Sequence, residues 1–185
     1  MTTTLRSTIS AQLGWTWHDQ LGTYLITDSN RLDFSRDLAD GSGSHQADAV
    51  WHAQDQTLEA GHSTTLDLDM LQQSLFGDLI TIPLATVKAI LVVNKNTAGG
   101  GYLLVGGADA DEWDAPFGAS GDTVKVMPGS PLLLANAGDG WPVEAGESAL
   151  KIAAVGAGVT FDVAVLGTLP EEGGSSSSSS SSSGA

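Results

Sequence analysis

The chain has 185 residues with 22 acidic and 7 basic side chains, a formal charge of −15. That balance excludes sequence-independent nucleic-acid binding and leaves no polybasic patch for anionic lipid. The absence of cysteine excludes disulfide frameworks, thiolate metal sites and cysteine nucleophiles.

Hydrophobic residues make up 41% of the chain, enough for a core without staples. No stretch reaches 18 consecutive apolar residues, so no membrane helix is expected. The opening MTTTLRSTIS lacks a basic segment followed by an apolar one, so no signal peptide is expected.

In chain order, Trp15 and Trp17 stand two apart, which places them on one face of a strand. Residues 24–27 and 32–34 are short strand-like runs, and the polar Asp28-Ser29-Asn30 between them reads as a hairpin turn. Residues 50–57 put Val50, His52, Gln54 and Gln56 opposite Trp51, Ala53, Asp55 and Thr57. With a turn through Glu59-Ala60-Gly61, this run and residues 64–68 read as a second hairpin. Residues 70–76 form the one stretch with helical character, bracketed by Gly77 and Pro83.

Beyond residue 85 the strand signal sharpens. The runs TVKAILVVN (86–94), GYLLV (101–105), TVKVM (123–127), PLLLA (131–135), ALKIAAV (149–155) and VTFDVAVL (159–166) are separated by Gly- and Pro-rich turns. The last alternates cleanly, with Val159, Phe161, Val163 and Val165 facing a core. Leu166 breaks the polar character of the outer face and implies a cover there, with a neighbouring subunit as candidate. From Pro170 the composition changes to acidic, Gly and an unbroken serine run, which reads as a disordered tail over 170–185.

These signals give an all-β fold of eight to ten short strands with little helix. An antiparallel β-sandwich over residues 1–169, jelly-roll-like, buries one face of each sheet most simply; a closed barrel is second. The early segments either join that sandwich or form a separate N-terminal hairpin arm.

Motifs that carry chemistry are sparse. Asp109, Asp111, Glu112 and Asp114 are the densest carboxylates, and oxygen-rich loops hold calcium, but the spacing is not that of an EF-hand. The competing reading is a solvated loop with Trp113 and Phe117 packed beneath it. His18, His45, His52 and His62 form no metal-binding spacing, although His52 and His62 would face each other across the second hairpin. Ser42 near His45 lacks the nucleophile elbow of a hydrolase. Gly99-Gly100-Gly101 and Gly106-Gly107 lack the lysine of a phosphate loop and read as turns. No cofactor motif is present. Trp15, Trp17 and Trp113 are the candidate interface or ligand-facing residues, open to core packing, a protein interface or stacking on sugar rings.

The segments VKAILVVNKNTAGGGYLLVGGADADEWDAPF, GDTVKVMPGSPLLLANAGDGWPVEAG and ALKIAAVGAGVTFDVAVLG, between about residues 87 and 167, resemble small virion-associated proteins of tailed bacteriophages. Asn94, Gly106, Gly107, Pro128, Gly129 and Gly167 match the turn and strand pattern. The resemblance implies a β-sandwich capsid decoration or cement protein, or part of a fibre, with no catalytic residues and no cofactor. It further implies a homo-oligomer at the capsid surface, in contact with the major capsid protein or other virion proteins. A carbohydrate-binding or receptor-binding module displayed on a virion is the alternative, and an enzyme ranks third.

Overall fold

In the computed structural model, residues 4–75, 77–97 and 99–171 are described. Among them there are thirteen strands and no helix: β1 (Ser7–Leu21), β2 (Tyr24–Leu38), β3 (Ala49–Leu58), β4 (Ser63–Asp67), β5 (Leu71–Leu75), β6 (Asp78–Ile82), β7 (Thr86–Asn94), β8 (Tyr102–Gly106), β9 (Thr123–Val126), β10 (Pro131–Ala135), β11 (Trp141–Pro142), β12 (Ala149–Val155) and β13 (Val159–Thr168). The chain is thus all-β with antiparallel sheets. Of the segment read as a Gly/Ser tail, residues 172–185 lie outside the described residues.

Two larger sheets carry the core. One runs β10-β7-β13-β3, with β11 also on β7; the other runs β4-β12-β8-β9. β7 pairs on both edges, and TVKAILVVN is apolar almost throughout because both of its faces are covered, Val87, Ile90 and Val92 in the main core and Ala89 in a second cluster. β13 alternates as its sequence predicts: Val159, Phe161, Val163 and Val165 are buried, and the residues between them are half-buried. Ile90 and Val92 from β7 meet Leu103 and Val105 from β8 and Leu150 and Ile152 from β12 in one contiguous cluster. Both larger sheets therefore pay into a single hydrophobic core.

Buried polar groups tie the strand ends. The Asn94 side chain, at the end of β7, donates to the carbonyls of Gly101 (3.1 Å) and Val126 (3.2 Å) and accepts from the Asn96 N–H (3.1 Å). One amide thereby links β7 to the loops or ends of β8 and β9. Lys88 is buried in β7, and its ammonium donates to the carbonyls of Gly138 (2.6 Å) and Gly43 (3.3 Å). Burial holds its pKa below the ordinary lysine value, with the opposing pull of Asp139 smaller.

Three sequence expectations are corrected. Asp28-Ser29-Asn30 is not a turn but lies inside β2, opposite Trp17, Thr16 and Trp15. The turn falls at Gly22-Thr23, where Gly22 has φ of 64°, as the first central residue of a primed hairpin turn requires. The polar triplet is held in the strand by cross-strand partners, Asp28 accepting from the Trp15 indole and Ser29 meeting Thr16.

Residues 70–75 are not helical, and Phe76 lies outside the described residues. β5 pairs with β6 in a separate two-stranded sheet, with Gly77 at φ of 95° between them. The run is too short to repay helix nucleation, whereas the strand gains a ladder and receives the Trp51 indole N–H at the Gln72 carbonyl (2.8 Å).

β3 and β4 do not form a hairpin with each other. β3 pairs with β13 and β4 with β12, so residues 59–62 carry the chain from one large sheet to the other. Each strand finds a more apolar partner than its sequence neighbour could offer.

The outer face near Leu166 is covered in part by this chain itself. Ile9 and Leu38, at the base of β1 and β2, are buried with Ala47 and Ala89, and Leu166 and Leu133 pack against them.

Candidate functional site

β1 and β2 pair over fifteen positions each and with no other strand among the described residues. Directly opposed residues share a face, so the register sorts the arm into two sides. One side carries Thr8, Gln12, Thr16 and His18 against Asp37, Asp33, Ser29 and Thr27, and all four pairs are hydrogen-bonded at 2.6–3.2 Å. This side satisfies itself in water.

The other side is apolar. β1 contributes Leu13, Trp15, Trp17 and Leu21; β2 contributes Tyr24, Ile26, Leu32 and Phe34. All eight are exposed, from Trp15 at 38% and Trp17 at 52% to Leu13 at 66% and Tyr24 at 76%. Trp15 and Trp17 therefore stand on one face, as their spacing predicts, and outside the core. The Trp15 indole donates to Asp28 (3.0 Å), which fixes the ring while leaving its face open. With half-exposed aromatic and leucine side chains, the surface amounts to roughly 900 Å², well above the few hundred Å² usual for the largest patch on a monomer.

Trp113 belongs elsewhere, which corrects its place among the ligand-facing candidates. It is 1% exposed, donates its indole N–H to the Pro142 carbonyl (2.7 Å), and meets Phe117 and Trp141 edge-on. A ring so enclosed has no face for a ligand.

The acidic loop above it disperses its carboxylates. Asp109 pairs with Lys151 (2.9 Å), and Glu112 accepts from the Ser120 hydroxyl (2.6 Å) and the Gly121 N–H (2.9 Å). The Ser120 bond holds the Glu112 carboxyl below its ordinary pKa. Asp111 turns the chain at φ of 49° and engages Ser148 and Ala149 through its carbonyl. Among the described residues no group of three or more His, Asp or Glu converges as a metal site. Addition of millimolar calcium should leave the melting temperature unchanged, since Asp109 and Glu112 are held by separate partners and no three carboxylates converge among the described residues. A calcium-dependent rise in melting temperature would contradict this placement.

The histidines are equally scattered. His18 meets Thr27 in the arm, and His45 meets the Ala137 carbonyl. His52 is paired with Ala164 in one large sheet, and His62 lies beside Glu59 at the mouth of the other, so the expected pairing of His52 with His62 does not form. Ser42 sits in a loop closed by Gln46, which accepts the Gly43 N–H (2.9 Å), and by Lys88. Gly101 approaches the Ala157 carbonyl, and Gly106 and Gly107 have positive φ, so these glycines answer backbone geometry.

No protein-family model, curated protein or solved structure gives a significant match to the chain.

Six of the eight apolar arm residues were not among the candidate interface residues, although Tyr24, Ile26, Leu32 and Phe34 lie in runs read as strand-like. Their signal was present as a period-two pattern through 13–21 and 24–34, and placing a turn at Asp28 cut it in two.

Proposed function

We propose that this chain is a non-enzymatic structural component that works through protein–protein contacts, as a decoration or cement protein at the surface of a tailed-phage capsid. In this reading its two large sheets pack as a β-sandwich of jelly-roll type, and the arm serves assembly. The observation that carries the reading is the exposed apolar side of the β1–β2 arm. Burial of apolar area is worth about 25 cal/mol per Å², so a surface of this size is a strong drive to associate. The resemblance of residues 87–167 to virion-associated proteins supplies the particle.

Added interfaces on the assembled shell stabilise it by mass action. Purified particles should contain the chain in a fixed ratio to the major capsid protein. Particles lacking it should assemble and then open at a temperature several degrees lower. Absence from particles, or equal heat resistance with and without the chain, would overturn the proposal.

Trp15 and Trp17, adjacent and open on one face, favour a second reading as a sugar-stacking platform. In that case glycan binding by the free protein would be lost in Trp17→Ala; a silent glycan array with folded protein would remove it.

A further inference from the structure

We infer that the apolar side of the β1–β2 arm is covered by the same side of a second copy of this chain. This rests on reading the arm as an association surface and is independent of what particle the chain belongs to.

The area is the first argument. Roughly 900 Å² per chain matches the 800 Å² or so that each partner brings to a standard stable interface. The second is one-sidedness. The polar side closes four of its seven opposed pairs with cross-strand hydrogen bonds and exposes one large apolar residue, Leu25, so nearly all the apolar area of the arm lies on one face. Stacking two such faces leaves none over, and a self-complementary pair closes on itself.

Light scattering on the intact chain should give the mass of two copies, and Leu13→Asp combined with Leu32→Asp should give one. Because that variant could disturb the arm, a milder one leaves its cross-strand hydrogen bonds in place: Trp17→Ala should weaken the dimer about tenfold. A monomer at about 100 μM, where an interface of this size is saturated, would overturn the inference, as would a trimer or a dimer unweakened by Trp17→Ala. A monomeric chain held on particles through Trp17 would also overturn it and assign the face to the shell, leaving the structural role standing. A dimer absent from particles would do the reverse.

Discussion

Trp113→Ala should destabilise the protein by about 4 kcal/mol, within the range for removing a buried tryptophan. The ring is 1% exposed and forms the hub of an edge-on trio with Phe117 and Trp141. Its loss opens a cavity at the core and also leaves the Pro142 carbonyl without its donor. For a domain of this size the melting temperature should fall by roughly 10 °C. Trp113→Phe should cost less than half as much, because it keeps the ring packing and loses only the N–H and part of the volume. A Trp113→Ala protein that melts with the wild type would mean that the ring contributes little to the core. At concentrations where the chain is monomeric, Trp15→Ala and Trp17→Ala should move stability little, since both rings are exposed within the chain. Three tryptophans that look alike in the sequence thus separate into one that holds the fold and two that are free to meet a partner.

How much of this was legible depended on whether the local pattern and the tertiary partner agreed. β7, β10, β12 and most of β13 were visible because their β-branched and leucine runs are bounded by glycine or proline, and no other element competes for them. β5 was misread because LQQSL offers neither a clear period nor β-branched residues. It becomes a strand only through Gly77, β6 and the Trp51 indole, all of which are contacts beyond the window that a local pattern covers. The β3–β4 pairing failed for a related reason. A turn sequence between two strands shows that the chain changes direction, but not whether it stays in the same sheet.

The arm shows a different limit. Asp28, Ser29 and Asn30 all favour turns by bonding their own backbone, yet here each side chain or backbone finds a cross-strand partner in β1. Cooperative pairing over fifteen positions outweighs three local preferences. The apolar pattern of the arm was therefore hidden by a strong local rule rather than absent. The acidic loop errs in the other direction. Four carboxylates within six residues suggest convergence, but Asp109 and Glu112 leave the loop toward Lys151 and Ser120, and spacing carries no information about those partners.

Gly167→Ala should cost about 3 kcal/mol, at the upper end for overpacking a well-filled interior. Gly167 lies in β13 between two neighbours, paired with Val87 in β7 and Ala49 in β3, just after a register shift in the β7 pairing. A Cβ there would overlap the Thr86 carbonyl and stand 3.2 Å from a Leu84 methyl. The obstacle is backbone, which cannot rotate aside as a long side chain can. Relief therefore requires β7 and β13 to part, and the Ala85 N–H bond to the Thr168 carbonyl (2.8 Å) and the hydroxyl contact of Thr86 with Thr168 (2.7 Å) lie next to the opening. Gly14→Ala supplies the contrast, because Gly14 also sits within a strand but a Cβ there would meet nothing nearer than 3.8 Å. That substitution should be neutral or stabilising by about 0.5 kcal/mol, as alanine gives up less chain entropy than glycine on folding. Urea unfolding of the two variants reads the difference directly. Opposite signs would establish that Gly167 is required by the close approach of two backbones. Equal and small effects would mean that the β7–β13 contact yields more easily than its geometry implies.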